Sequence, residues 1–251
     1  GELSVPVPER GTDEIVHIAR AANRLRKQLA DEREIRRQWS QDIAHDLRTP
    51  IAALQGQFEA MADGVMSATP ERIRRVHAEI SRLGELVSSL DELSRLESPE
   101  LRTEIRVVPA GEFVSDVRQL FRQRASARDI TLDTDCRTES LRADPLLLHR
   151  AVGNLLSNAL RHTPDGGIVR LEIRTEAQEV VIEVFNSGPP IAPADAARAF
   201  ERLYRGEYAR NSPGAGLGLT IVKRIVQLHE GTVSIGPAAE GGTTASIRLP
   251  Q

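Results

Sequence analysis

The chain contains 251 residues, of which 40% are hydrophobic and 27% are charged, and this length accommodates two domains with separate cores. The net charge of -3 gives no general reason to bind nucleic acid or anionic lipid, and the single cysteine, Cys136, excludes an internal disulfide and a cysteine-based metal cluster. Because the sequence contains neither a run of roughly 18 apolar residues nor a signal peptide, it predicts a soluble, cytoplasmic chain.

The first predicted element is a long helix that begins near Thr12. Its early apolar residues are three and four positions apart, which predicts a coiled-coil seam formed by Ile15, Ile18, Ala22, Leu25 and Leu29. The seam then changes phase, and apolar residues recur every fourth position at Ile35, Trp39, Ile43 and Leu47. Such a phase change locally unwinds a coiled coil, so we predict a junction between two helical packings near residue 34; an imperfect coil is the alternative.

A second helix is predicted to begin at Thr69-Pro70-Glu71, which supplies a cap, a proline at the first helical position and an acid in the first turn. Its apolar stripe extends to Leu90, and Ser98-Pro99 ends it. The short loop Asp63–Ala68 requires the two helices to run antiparallel. Because a hairpin with one narrow apolar stripe per helix cannot bury both stripes alone, we predict a dimeric four-helix bundle.

After Pro99 the periodicity changes to short β-branched runs that alternate with helical patterns. Helices are predicted to begin near Pro109, Pro145, Pro193 and Gly216. The predicted strands are Glu104–Val108, Asp129–Leu132, Ile168–Thr175, Val180–Phe185, Thr232–Ile235 and Thr243–Leu249. This alternation is typical of one α/β domain in which helices cover one face of a sheet.

The first chemical motif lies on the long helix, around His45. Helical geometry places His45 about 200° from Ile43 on the buried face, so its ring is expected to face solvent. Asp46 could hold one ring nitrogen and accept its proton, leaving the other nitrogen as a nucleophile. Thr49, one turn further on, could position a water molecule. The alternative is an ordinary charged helix face.

The second motif is a polar face on the helix predicted to begin near Pro145. Asn154 and Asn158 are four residues apart and share one side of this helix, and amide oxygens are suitable ligands for Mg²⁺. Arg161 and His162 extend the same polar face. An amphipathic helix whose asparagines are solvated is the alternative.

Two further segments could contact a ligand. One lies at the end of a strand, and the other is a glycine-rich loop. Asn186 ends a predicted strand that enters a tight turn at Gly188, where the backbone could approach a base; an ordinary turn is the alternative. Glycines at positions 214, 216 and 218 directly precede a helix, whose first N–H groups favour phosphate. Since no strand precedes these glycines, they do not form a Rossmann turn.

Taken in this order, the motifs resemble those of sensor histidine kinases. The sequence His-Asp-Leu-Arg-Thr-Pro at 45–50 resembles the phosphoacceptor box of the dimerising histidine phosphotransfer domain. The C-terminal motifs resemble the ATP-binding domain that histidine kinases share with gyrase, Hsp90 and MutL-type proteins. The resemblance implies a partial HAMP linker and signalling coiled coil at 1–34, a helical hairpin that dimerises into a four-helix bundle at 35–98, and an α/β-sandwich ATP-binding domain of the Bergerat type at 104–251.

The same resemblance assigns roles to individual residues. It implies that His45 is phosphorylated, that Asp46 activates it, and that Thr49 orients water when the partner protein is dephosphorylated. It implies that Asn158 ligates Mg²⁺. The ATP contacts that it implies are Asn154, Asn158, Arg161, His162, Asn186, Gly188, Arg205, Gly214, Gly216, Leu217 and Gly218, with residues 206–213 as a mobile lid over the nucleotide.

One position departs from the family pattern. The residue that recognises adenine is usually aspartate, whereas this chain has Asn186. The amide oxygen can still accept a hydrogen bond from the adenine amino group, but the strength that a charged acceptor adds is lost. The resemblance therefore implies retained but weaker ATP binding. Ser187 and Pro190 also differ from the commonest sequence of this turn.

The activity implied by the resemblance is ATP-dependent autophosphorylation of His45, followed by transfer to an aspartate of a response regulator, with phosphatase activity toward that regulator. A homodimer is implied, as is a membrane-anchored N-terminal sensor region in the bacterial inner membrane. Two alternatives stay open. One is an ATPase of the gyrase or Hsp90 kind, which would not need the His-Asp pair; the other is a non-catalytic signalling scaffold with a degenerate nucleotide site.

Overall fold

The computed structural model describes residues 7–10, 12–98, 100–206 and 216–251, without the side chains of Glu14 and residues 31–46. The chain divides into two compact units, Gly1–Leu83 and Gly84–Gln251. The domain borders predicted from the sequence, at 34–35 and 98–104, remain predictions. The start of the predicted HAMP segment, before Val7, and the side chains around the predicted phase change lie outside the described residues. No helix in the described ranges is long and apolar enough to cross a membrane.

The predicted helical hairpin is confirmed. Helix α1 spans Asp13–Ala62 and continues through Pro50, and helix α2 spans Pro70–Leu96. The turn between them begins where the N–H of Asp63 bonds to the carbonyl oxygen of Glu59 at 2.9 Å. As predicted, Thr69 precedes α2, and its hydroxyl accepts from the N–H of Arg72 at 3.4 Å. Local signals therefore determine both ends of this connection.

Both helices leave a row of apolar side chains exposed in the single chain. Ile18, for example, is 70% exposed. The exposed members of the predicted seams are Ile15, Ile18, Leu25 and Leu29 on α1 and Ile73, Ile80 and Val87 on α2. A continuous apolar row of this kind is unusual for a monomer and is what a second copy of the hairpin would cover.

In its described residues, the second unit contains two sheets. Its elements are β1 (Arg106–Pro109), α3 (Ala110–Ser126), β2 (Thr131–Arg137), β3 (Ser140–Ala143), α4 (Pro145–His162), β4 (Ile168–Glu176), β5 (Glu179–Asn186), α5 (Pro193–Arg198), α6 (Gly218–Leu228), β6 (Thr232–Pro237) and β7 (Thr243–Pro250). The larger sheet has the order β2-β4-β5-β7-β6, with β2 parallel to β4 and the other neighbours antiparallel. Strands β1 and β3 form a separate antiparallel pair.

The core of this unit lies between the larger sheet and its helices. Buried and half-exposed positions alternate along β4 and β7, so one face of the sheet is covered. Helix α4 buries its apolar side, including Leu155 and Leu156, and α6 buries Ile221 and Ile225. The predicted α/β sandwich is confirmed. Strand β2 extends past the predicted end at Leu132, and β3 was not predicted, because its four residues carry little apolar alternation.

Among the described residues of the second unit, three arginines bind the end of α2 and the residue after it, and we call these three the arginine clamp. Each arginine comes from a different segment, and the pairs are Arg150 of α4 with Glu92, Arg202 after α5 with Glu97, and Arg224 of α6 with the carbonyl oxygen of Leu96. Leu93 is fully buried at the same place. The end of α2 is therefore an integral part of the second unit.

Candidate functional site

Helix α4 carries the predicted polar face, and its start is well defined. The Asp144 carboxylate accepts from the N–H groups of Leu146 and Leu147 at 3.1 and 3.2 Å, and Pro145 occupies the first turn. Since the apolar side of α4 packs on the sheet, the other side keeps its polar residues. Asn154, Asn158 and His162 follow one another at four-residue spacing there, and all three are half-buried.

Asn154 lies against the start of α6. A Cβ atom added to Gly218 would lie 3.6 Å from Asn154 Oδ1, so the side chain of Asn154 lies against the backbone of Gly218. Asn154 Nδ2 is buried and has no hydrogen-bond partner in the described part of the chain. Leu217 precedes α6 and has no side-chain acceptor, so this residue does not cap the first N–H groups of that helix. An anion is favoured at such a helix start.

Asn186 lies near the C-terminal end of α4. It is the last residue of β5, only 5% exposed, and its Nδ2 also lacks a partner among the described residues. The adjoining Gly188 has no room for a side chain, because a Cβ atom there would collide with the carbonyl oxygen of His162 and lie 2.8 Å from Asn186 Nδ2. The end of β5 therefore closely approaches the C-terminal end of α4.

Strand β7 supports the turn that follows β5. Thr243 is the register partner of Asn186 and is buried. Its hydroxyl donates to the carbonyl oxygen of Pro189 at 3.2 Å and accepts from the N–H of Ile191 at 3.0 Å. A Cβ atom at Gly242 would collide with the carbonyl oxygen of Asn186. Gly242 and Thr243 were not predicted from the sequence as part of the site, although the Gly-Gly-Thr-Thr run at 241–244 is a signal that could have indicated them.

The two unpaired amides mark the ends of one polar strip along α4. Asn154 and His162 are eight residues apart, which corresponds to about 12 Å along a helix. Asn158 lies halfway between them on the same side. The strip therefore joins the start of α6 at one end to a buried amide at the other.

The structure describes some of the other residues that were predicted to contact ATP. Gly216 has φ of +71°, and a Cβ atom there would lie 3.0 Å from the backbone of Leu203, so this position requires glycine. Leu217 is fully buried, so its side chain belongs to the core. Arg205 is half-buried. Gly214 and most of the predicted lid lie outside the described residues.

Arg161 and His162 lie at the C-terminal end of the strip, where Arg161 supplies positive charge. Burial lowers the pKa of His162 below its ordinary value, and the neighbouring Arg161 lowers it further. Burial also lowers the pKa of Arg161, while Glu85 raises it and Arg124 lowers it. His162 is therefore held in its neutral form near pH 7, where one ring nitrogen can accept a hydrogen bond.

This shift predicts a pH dependence of stability. Because the folded pKa of His162 is below the unfolded value of about 6.5, the unfolded chain binds more protons and the folded state loses stability as the pH falls below about 6.5. Replacing His162→Asn is expected to flatten the decline of Tm below this pH, measured by thermal unfolding. His77→Asn, at an exposed position of α2, is the control. If Tm of the His162 variant declines with falling pH as steeply as that of the wild type, the lowered pKa of His162 is not the cause of the decline.

The phosphoacceptor motif is described only in part. The backbone at His45 and Asp46 is helical, but their side chains lie outside the described residues, so the predicted solvent-facing ring stays a prediction. Thr49 is exposed one turn later. Pro50 does not interrupt α1.

Comparisons with known proteins cover both units. Residues 35–99 match the His Kinase A (phospho-acceptor) domain, and residues 143–251 match the histidine kinase-, DNA gyrase B- and HSP90-like ATPase family. The solved structure of the mycobacterial sensor histidine kinase MprB is 32% identical and aligns over 58% of this chain and 97% of that one, with a TM-score of 0.51. The chain belongs to the sensor histidine kinase family.

Other histidine kinases align over nearly the whole chain. BaeS of Escherichia coli K12, a signal transduction histidine-protein kinase, is 32% identical over 100% of this chain and 54% of its own length. The kinase/phosphatase MprB of Mycolicibacterium paratuberculosis is 34% identical over 98% of this chain and 49% of its own length. The histidine kinase chain thus spans about half the length of these curated relatives.

Proposed function

We propose that this histidine kinase chain binds MgATP along the polar strip of α4 and transfers the γ-phosphoryl group to His45. The observation that carries the nucleotide site is that the buried amide nitrogens of Asn154 and Asn186 have no hydrogen-bond partner in the ranges that the structure describes. Leaving a buried donor unpaired costs about 1–3 kcal/mol. A bound nucleotide that accepts from these donors would recover that free energy, which gives the site a physical reason to be built this way.

The two ends of the strip would bind different parts of the nucleotide. Asn186 suits the base, because its amide is buried at the end of β5 and its Nδ2 has no partner among the described residues. The N-terminus of α6 suits the phosphates. Asn158, between them, has the amide oxygen that would ligate Mg²⁺, and this ion neutralises charge on the phosphates when it is bound. Arg205 is the further phosphate contact in this proposal.

The acceptor chemistry would need three residues of α1. His45 attacks the γ-phosphorus with one ring nitrogen, forming a P–N bond while the bond to the bridging oxygen breaks and ADP leaves. Asp46 accepts the proton from the other ring nitrogen, which keeps the imidazole nucleophilic. Thr49 would orient the water that hydrolyses the phosphorylated partner. Positioning and charge neutralisation supply most of the rate, since phosphoryl transfer needs little covalent assistance.

The proposed partners are a second copy of the chain and the receiver domain of a response regulator. The exposed apolar rows of α1 and α2 support dimerisation. The labile P–N bond suits onward transfer to an aspartate. Phosphatase activity is supported by the similarity to MprB, which is named a kinase/phosphatase. The membrane-anchored sensor region and the location at the bacterial inner membrane belong to the same proposal.

The chemistry of the phosphorylated product tests this function. After incubation with Mg²⁺ and γ-³²P-ATP, the chain is expected to carry label that is lost in acid and kept in alkali, as a P–N bond requires. Release of labelled phosphate without labelled protein would indicate an ATPase of the gyrase type. Nucleotide binding without either product would indicate a scaffold. Either result would contradict the proposed autophosphorylation.

A further inference from the structure

The side chain of Asn186 is unusual in its surroundings as well as in its identity. Its backbone is fixed on both sides, because β5 pairs there with Val169 of β4 and Thr243 of β7. Its amide is buried and Nδ2 has no partner within the described ranges. Nδ2 is therefore a buried donor that the described part of the fold does not satisfy.

Neighbouring hydroxyl groups do not orient this amide. Thr243 Oγ1 donates to Pro189 and accepts from Ile191. Ser187 Oγ accepts from the N–H of Ile168 at 2.8 Å. Because Nδ2 has no partner among the described residues, no hydrogen bond of Nδ2 from that part of the chain opposes rotation of the amide by 180°.

An amide and a carboxylate read a purine differently at this position. A carboxylate only accepts hydrogen bonds, so it pairs with a 6-amino group and repels a 6-oxo group. An amide has an acceptor and a donor side by side. In one orientation it complements the 6-amino group and N1 of adenine, and after rotation it complements the 6-oxo group and N1–H of hypoxanthine or guanine. The two orientations have nearly the same shape.

We propose that Asn186 makes this site accept 6-oxopurine as well as 6-aminopurine nucleoside triphosphates, so that the chain discriminates weakly between them. The inference rests on the proposed nucleotide site and adds the residue that sets its base selectivity. It follows from a donor and an acceptor at a position that is buried, lined by backbone and without a partner for Nδ2 among the described residues.

Binding of ATP and of inosine triphosphate to the whole chain tests the proposal. Inosine triphosphate differs from ATP at the 6-position and N1 and adds no group elsewhere, so the comparison isolates the amide. Titration calorimetry with Mg²⁺ is expected to give dissociation constants within about tenfold of each other, the size of effect of one ordinary hydrogen bond. Asn186→Asp is expected to widen the preference for ATP to about a hundredfold or more.

Gln178→Glu is the matched control, because it adds the same charge in the exposed turn before β5. It is expected to leave the ratio of the two constants unchanged. A wild-type chain that binds ATP at least a hundredfold more tightly than inosine triphosphate would overturn this inference while leaving the proposed ATP site intact. Failure of both nucleotides to bind would overturn the site itself. The wild-type ratio decides the matter even if the Asn186→Asp substitution prevents folding.

Discussion

Replacing His45→Gln is expected to reduce the incorporation of label from γ-³²P-ATP to background. Glutamine is polar and a good helix former, so α1 should keep its structure, while the amide lacks a nucleophilic nitrogen. ATP affinity should stay within about twofold of the wild-type value, because the proposed ATP contacts lie on the second unit. The measurements are autoradiography of the separated protein and calorimetric titration with ATP.

His77→Gln is the matched control for this substitution. His77 is exposed on α2 and outside the phosphoacceptor motif, and the same chemical change there should leave labelling unchanged. Normal labelling of the His45 variant would move the acceptor to another residue and refute the assignment. A loss of label in both variants would point instead to damage of the hairpin, which thermal unfolding would reveal.

A second substitution with a large expected effect is Gly188→Ala. The added methyl group would collide with the carbonyl oxygen of His162 and lie 2.8 Å from Asn186 Nδ2. Because the obstacle is backbone at the end of α4, it cannot simply rotate away. We expect the turn after β5 to shift, with a loss of about 1–3 kcal/mol in the free energy of unfolding. ATP affinity should fall at least a hundredfold, since the shifted turn would displace Asn186 from the proposed position of the base.

Gly236→Ala provides the comparison within the same unit. Gly236 lies in β6, and a Cβ atom added there meets nothing within 4 Å. ATP affinity is expected to stay within about twofold, and the free energy of unfolding should change little. Calorimetric titration and denaturant unfolding of both variants separate a local effect at the base from a general loss of stability. Wild-type ATP affinity in the Gly188 variant would place the base elsewhere.

Much of the fold could be predicted because its signals are local. The hairpin followed from a cap, a proline and an apolar stripe that are contiguous in sequence, and the structure has α2 begin at Pro70 as predicted. Most strands followed from β-branched runs. Strand β3 was missed because four residues of mixed polarity become a strand only by pairing with β1, which lies on the far side of α3 and β2 in the sequence.

In the candidate site, too, local features could be predicted from the sequence and features that depend on distant contacts could not. The spacing of Asn154 and Asn158 on one helix, and the glycines before α6, could be read directly. The support of Asn186 by Thr243 could not, because it depends on the register between β5 and β7, which are distant in sequence. The two unpaired amide nitrogens likewise became visible only once burial was known. The orientation of His45 stays a prediction.

The arginine clamp has a consequence for how the chain responds to its solution. Its Arg150–Glu92 pair is partly solvent-exposed, with 56% of the arginine side chain accessible, so dissolved ions reach it. Electrostatic attraction of exposed pairs fades over roughly 8 Å at physiological ionic strength and faster in concentrated salt. Adding electrolyte is therefore expected to weaken the Arg150–Glu92 pair, while the buried Leu93 and the bond from Arg224 to Leu96 keep the end of α2 attached.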